Sequence, residues 1–339
     1  MRALILNDTR NGNHLGCIIV MEQLAVLCRE AGLHVTAMLR FGQRFEAQVA
    51  HELGQCDVVI INGEGTMHHD AADAMAIVRA GAMAASRKVP IALINTVWQD
   101  NQRANPLLAQ CSWVSARESF SQAAIGQAGS IAELVPDLTL TADPVQLFRS
   151  AQGTATRGVV VLDDVRLPLA LALAQYARAH GLPFFPMGSR PSLRTRQGWL
   201  KMMRLGLASG WARQFHRGQI SAIASASVVV TGRFHGICPA ILAGRPFVAF
   251  ASNTHKIEGL LRDADLGPGG RLFDDPPTDP VARDAFIAAA VQQVLTNQAD
   301  PAQRCEYQAA CARYTRRERQ SATDLLTRIA RGHEVQPFI

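Results

Sequence analysis

Residues 227–261, SVVVTGRFHGICPAILAGRPFVAFASNTHKIEGLL, concentrate side chains able to bind and protonate an anion. A buried strand delivers Gly232, Arg233, His235 and Gly236 to the N-terminus of a helix that stops at Gly244. A second strand follows, and its end delivers His255 and Lys256. One arginine, two histidines and one lysine therefore share one sheet edge. Guanidinium offers a planar fork to carboxylate or phosphate, and a helix N-terminus adds partial positive charge. The alternative is an Arg-x-His buried on a strand face, but the flanking glycines place this one in a turn. An anion site is the physical reading.

Two other loops could contribute. NGEGTMHHD, residues 62–70, ends a strand in Gly-Glu-Gly and offers one carboxylate, Glu64, and two imidazoles, His68 and His69, that could exchange protons near neutral pH. The alternative is structural, with Glu64 capping the next helix and the histidines half exposed. No zinc site is expected, because adjacent histidines diverge and no third ligand has suitable spacing. NDTRNGNHLGC, residues 7–17, runs from the first strand into a helix. Gly12 and Gly16, beside Asn13, allow a tight turn, close backbone approach and an anion at the helix start; an ordinary Asn/Gly-rich turn is the alternative.

The elements that must hold these loops follow from hydrophobic periodicity. Short apolar strands at 3–7, 34–39, 57–62, 90–95, 113–117 and 132–136 alternate with helical patterns such as 15–31 and 70–86. After the linker-like RSAQGTATRG the pattern restarts, with strands at 158–163, 183–187, 227–232 and 246–250. Strands this continuously apolar belong to parallel sheets covered on both faces. The expected fold is α/β: two Rossmann-like, doubly wound domains, spanning 1–150 and 151–339, with long C-terminal helices at about 280–297 and 301–331. Ligands of such sheets sit beyond the carboxyl ends of the strands.

Composition agrees. With 339 residues, 48% hydrophobic and 18% charged, the chain is long enough for two cores and is neither disordered, coiled-coil nor collagen-like. Its apolar runs are too short to span a bilayer, and MRALILNDTR is too short and polar for a signal peptide, so a cytoplasmic location is expected. Seven cysteines without a CxxC pair argue for reduced thiols. Residues 1–150 hold 11 basic and 14 acidic side chains (net −3), leaving 23 and 14 (net +9) for residues 151–339. The second half faces an anion, for which nucleic acid, a phosphorylated small molecule and a membrane surface are the candidates.

TGRFHG, with AGRPFVAF and HKIEG after it, resembles the C-terminal signature of the polysaccharide pyruvyl transferase family. The resemblance extends to the Asn/Gly loop after the first strand, NGEGT, SARES (115–119) and PDL (136–138), covering most of residues 7–261. Two segments depart from the family pattern: GNHLGC places Cys17 where Asp is common, and GEG replaces a triple glycine. The resemblance implies two Rossmann-like domains of the GT-B type and transfer of pyruvate from phosphoenolpyruvate onto a sugar as a ketal. It implies no cofactor, metal or nucleic acid, and an acceptor saccharide that is often lipid-linked.

Ketal formation requires a cationic clamp for carboxylate and phosphate, an acid for the enol methylene and a base for the sugar hydroxyls. On this reading Arg233 and Lys256 form the clamp at the Gly232 and Gly236 turn, His235 is the acid, and Glu64 or His68 is the base. Arg117 could complete the clamp; a salt bridge to Glu118 or a capping role is its alternative. The Asn13 loop, with Gly12 and Gly16, lies on the acceptor side.

Residues 192–217 hold Arg194, Arg196, Lys201, Arg204, Arg213 and Arg217 with no acid, while Trp199, Met203, Leu207, Trp211 and Phe215 recur every four positions. Such a helix suits an anionic lipid surface, with Trp199, Trp211 and Arg204 in contact; a core-facing helix with a basic flank is the alternative. Two competing functions remain at this point: a nucleotide-sugar glycosyltransferase on the shared architecture, and a non-catalytic anion-binding protein.

Overall fold

The computed structural model describes residues 1–12, 14–42, 44–151, 157–187 and 209–332, with 11, 12, 157, 209–215 and 268 described by backbone alone. The first sheet contains β1 (Arg2–Leu6), β2 (His34–Leu39), β3 (Val58–Glu64), β4 (Ile91–Thr96), β5 (Trp113–Ala116) and β6 (Glu133–Leu134). All pairings are parallel, in the order β2-β1-β3-β4-β5-β6. Its helices are α1 (Leu15–Glu30), α2 (Phe45–Glu52), α3 (Ala72–Ser86), α4 (Asn105–Leu108), α5 (Ser119–Gln127) and α6 (Pro144–Leu147). Every residue of β3 and β4 is buried, which is why they read as unbroken apolar runs.

The second sheet contains β7 (Arg157–Asp164), β8 (Phe184–Phe185), β9 (Ala226–Gly232), β10 (Phe247–Phe250) and β11 (Gly270–Phe273), also parallel, in the order β11-β10-β9-β7-β8. Its helices are α7 (Leu167–Ala179), α8 (Ser209–Ser225), α9 (Phe234–Leu242), α10 (Lys256–Ala264), α11 (Pro280–Ala299) and α12 (Pro301–Arg331). The expected α/β fold with two parallel-sheet domains and a helical C-terminus is therefore present. The sequence periodicity did not indicate β11, because its GRLF follows GPG and reads as turn. The strand expected at 183–187 shortens to two residues.

In each sheet the chain leaves its first strand in one direction and later departs in the other, making switch points between β1 and β3 and between β7 and β9. Crevices for ligands open there. The two domains are joined by more than their connection. Leu15 and Ile19 of α1 enter the apolar cluster of the second domain. Conversely, α12 places Tyr307, Cys311 and Tyr314 in that cluster but Ala322, Leu325, Leu326 and Ile329 against the first sheet. Among the described residues no helix is long and apolar enough to cross a membrane.

Candidate active site

The floor of the site is built by the second sheet. β9 ends at Gly232, where an added Cβ would stand 1.5 Å from Asp164 Oδ2, so only glycine lets these strand ends lie side by side. Arg233 then takes an extended conformation as the N-cap of α9, its N–H donating to Thr231 Oγ1 at 3.0 Å. Its guanidinium forms a two-pronged pair with Asp163 at the end of β7, Nε to Oδ1 at 3.0 Å and Nη2 to Oδ2 at 2.9 Å. That pairing fixes the fork while the side chain keeps 24% exposure. His235 follows on the first turn of α9, buried against the other domain. An added Cβ on Gly16 would lie 2.0 Å from His235 Cγ, so the absence of a side chain on α1 makes the seat for this imidazole.

The first domain supplies the wall. Glu64, at the carboxyl end of β3 with φ 39°, accepts from Thr9 Oγ1 at 2.5 Å, Cys17 Sγ at 3.0 Å and Asn62 Nδ2 at 3.3 Å. Asn95, at the end of β4, receives the Leu138 N–H on Oδ1 at 3.3 Å and so braces the loop that carries Asp137. Asp137 is fully buried and accepts from Arg117 Nη1 at 3.1 Å. The Arg117 guanidinium also lies 4.4 Å from the centroid of the Phe234 ring, a cation–π contact across the domain boundary. His235 sits between the two acids, with Nε2 3.5 Å from Asp137 Oδ2 and Nδ1 3.9 Å from Glu64 Oε1.

The third contribution is α10. The His255 N–H donates to Gln99 Oε1 at 2.9 Å, its Nε2 stands 3.4 Å from Glu118 Oε1, and Ser119 N–H donates to Asp263 Oδ2 at 2.7 Å. These contacts tie α10 to the first domain and set the next residue, Lys256, over the cleft, where its Nζ donates to Asn253 Oδ1 at 2.5 Å. The resulting cavity encloses about 340 Å³ and is lined by Asn7, His14, Cys17, Glu64, Arg117, Arg233, His235 and Lys256 among others.

Its electrostatics are those of an anion receptor. Burial, then Arg117 and Arg233, bring the Lys256 ammonium down to about 7. Burial, with His235 and Arg233 nearby, keeps His14 well below the usual histidine value. Burial alone would raise Asp137, but His235 and Arg117 overcome it and hold the carboxyl below its usual range. Cys17 is pushed well above the usual thiol range by burial and then by Glu64, so it remains a thiol. His14, Cys17 and His235 present ligand atoms within 4.8 Å of one another, a donor set that a zinc ion can use. Arg117 and Arg233 are each paired with a carboxylate, and the N-termini of α1 and α9 add partial positive charge beside these donors.

Of the residues singled out from sequence, Glu64, Arg117, Arg233, His235 and Lys256 line this one cavity. Gly232 and Gly16 are the close-approach glycines beside it, and Gly236 packs against Leu162 and Thr231. Gly12 ends a short turn, Thr9–Gly12. Glu64 does not cap α3, whose N-cap is Ala71 without a side-chain bond. Arg117 pairs with Asp137 rather than Glu118, which instead accepts from the N–H groups of Phe120 and Ser121 as the cap of α5. His68 lies outside the cavity lining; its Nδ1 is 2.8 Å from His69 Nδ1, and burial followed by His69 lowers it to about 4. Asn13, Trp199 and Arg204 lie outside the described residues, as does the side chain of Trp211. Sequence reasoning passed over Asp163, Asp137 and His14. The LDD that ends β7 and the PDL loop after β6 were the available signals, both polar residues at strand ends.

The profile of the family described as polysaccharide pyruvyl transferase matches residues 5–189 and 218–254. The chain belongs to the polysaccharide pyruvyl transferase family and is thus a transferase with a saccharide acceptor. No curated protein matches the sequence. Solved structures show the fold alone. The chain is similar to the UDP-GlcNAc 2-epimerase of Methanocaldococcus jannaschii in complex with UDP-GlcNAc and UDP, at 11% identity and TM-score 0.54, over 87% of this chain and 93% of that one. It is similar to a UDP-N-acetylglucosamine 2-epimerase at 12% identity and TM-score 0.55, over 99% and 98%. A third, from Neisseria meningitidis bound to UDP-GlcNAc, aligns at 10% identity and TM-score 0.51, over 92% and 94%. These are GT-B-like architectures, in agreement with the two sheets described above.

Proposed function

We propose that the chain transfers pyruvate from phosphoenolpyruvate to two hydroxyls of a sugar, forming a ketal during cell-surface polysaccharide synthesis. The supporting observation is the convergence of Arg233, Lys256, His235 and Glu64 on one cavity between the two switch points. Arg233, oriented by Asp163, and Lys256 hold the carboxylate and phosphate. His235 protonates the methylene carbon, and the first sugar hydroxyl adds to the carbon that becomes cationic. Phosphate then leaves, and the second hydroxyl closes the ketal. Of the two hydroxyl protons released, one replaces the proton given to carbon and the other departs on phosphate, so the step is balanced.

Asp137 faces Nε2 of His235 and orients the ring, leaving Nδ1 towards Glu64 and the cavity. Glu64 is the base in this assignment because it lines the cavity, whereas His68 does not. Arg117 acts through Asp137 rather than by gripping the donor. The chain works at the inner face of the cytoplasmic membrane as a peripheral protein, on an acceptor carried by a lipid. The support for this part is the basic and aromatic pattern of residues 192–217.

Isothermal titration with phosphoenolpyruvate and with UDP-sugars tests the donor, and phosphorus NMR tests turnover on a saccharide acceptor. Phosphoenolpyruvate binding that weakens by roughly 2 to 5 kcal/mol in Arg233→Ala supports the clamp. Preference for a nucleotide sugar would replace this reading with glycosyl transfer, and binding without phosphate release would leave an anion-binding protein.

A further inference from the structure

A second and larger cavity, about 1310 Å³, lies beneath the crossing between the domains. Its walls are α1, residues 140–150, the start of the described side chains of α8, the C-terminal end of α9 and the middle of α12. It shares no lining residue with the active-site cavity.

The lining is divided by chemistry. The floor is aliphatic, with Ile19, Val26, Leu147, Ile220, Ile241 and Leu242. Around it stand Arg29, Arg149, Arg217 and Arg316, all exposed and without an ion-pair partner among the described residues. A fifth arginine, Arg319, is already engaged by Glu30 at 3.1 Å and by the Thr141 carbonyl at 2.7 Å. The acids are mostly committed too. Glu30 pairs with Arg319 and Asp143 accepts from Val145 N–H as the cap of α6, which leaves Glu22 as the one lining acid against the four arginines. Four free guanidinium groups over an apolar floor leave positive charge uncompensated at the mouth.

This combination selects an occupant. A free phosphate has no use for six aliphatic side chains, and the described residues of the lining offer a sugar ring no aromatic side chain to stack on. An anionic lipid uses both parts, the headgroup phosphate meeting arginine and the chain covering the floor. The position agrees, since Arg217 is the last residue of the basic, aromatic stretch 192–217. We propose that this cavity binds an anionic lipid, with its phosphate on the rim arginines and its chain on the aliphatic floor. It deepens the membrane part of the proposed function and is independent of the donor.

The test is titration of the full chain with dihexanoyl phosphatidic acid below its micellar concentration, in the presence of saturating phosphoenolpyruvate. Glycerol 3-phosphate, inorganic phosphate and dihexanoyl phosphatidylcholine serve as comparators. One lipid per chain is expected, undisturbed by phosphoenolpyruvate, with the comparators weaker by at least about tenfold. If each arginine is worth roughly fivefold, Arg149→Gln/Arg217→Gln/Arg316→Gln weakens the lipid by about 100-fold. The same variant keeps its melting temperature and its affinity for phosphoenolpyruvate. Leu147→Gln, on the floor, weakens the lipid but not inorganic phosphate. Absence of lipid binding, displacement by phosphoenolpyruvate, equal binding of glycerol 3-phosphate, or an unaltered triple variant would each overturn the assignment. The donor reading is judged separately, by the preference for phosphoenolpyruvate over nucleotide sugars and by phosphate release, so a failure of lipid binding leaves it standing.

Discussion

Donor binding should draw a proton onto Lys256. In the free protein, burial and the charges of Arg117 and Arg233 bring this ammonium to about 7, so at pH 7 it is half protonated. A donor that sets carboxylate and phosphate beside Nζ reverses the balance and favours the charged form. Binding at pH 7 therefore takes up about half a proton, and at pH 8 about 0.9, provided the complex keeps the lysine fully charged. The affinity falls by up to about tenfold for each pH unit above 7, or about 1.4 kcal/mol per unit. The stability linkage has the opposite slope. The unfolded lysine titrates near 10.4, so between 7 and about 10.4 the unfolded state binds more protons and the folded protein gains stability as pH rises. Calorimetry in two buffers of different ionisation enthalpy measures the uptake directly. Protonation of the donor phosphate is common to wild type and Lys256→Met, so the difference isolates the lysine. A wild-type affinity flat from pH 6.5 to 8.5, or the same uptake in Lys256→Met, would refute the placement of this amine on the donor.

Gly16→Ala should destabilise the protein by about 1 to 3 kcal/mol, because its methyl group must displace the His235 ring; thermal unfolding measures the loss, and wild-type stability would show that α1 and α9 can part freely. His235→Gln should lower turnover by roughly 10²- to 10⁴-fold with little change in donor affinity; equal losses in both would make it a binding residue alone. Asp137→Asn should leave Arg117 buried without its countercharge, a defect worth about 3 to 5 kcal/mol when one partner of a buried pair is removed. The carboxamide keeps an acceptor near Nε2, so the smaller part of that loss is expected in denaturant unfolding, together with a shifted pH profile of turnover. A stable variant with an unshifted profile would remove Asp137 from any role in orienting His235.

Much of the donor side was legible because its signals are local. The turn glycines around Arg233 and His235 lie within one strand-to-helix junction, and hydrophobic periodicity alone locates that junction. What was hidden depends on pairing across the fold. Asp163 meets Arg233 only because β7 and β9 are neighbours, and the PDL loop gains its meaning only when Arg117 and His235 approach Asp137 from two domains. His14 was visible as part of a loop, but its meeting with His235, at 5.5 Å between ring centroids, is made by interdomain packing. Most of the patterned stretch 192–217 lies outside the described residues, and its last part belongs to the helix Ser209–Ser225. The later turns of this helix bury Gln219, Ala222 and Ile223, and Gln219 and Ile223 continue the four-residue spacing that runs from Trp199 to Phe215.

The division of α12 between two cores has a consequence for biosynthesis. The first sheet packs Leu138 and its predecessors against Ala322, Leu325, Leu326 and Ile329, which follow 184 or more residues later in the chain. During translation at about 5 to 20 residues per second, that apolar surface waits roughly 10 to 40 s for its cover. The domain that begins first is therefore among the last to finish. Its exposed face is open to chaperones, or to another nascent copy, throughout the synthesis of the second domain. The docking of this single helix then closes both domains together.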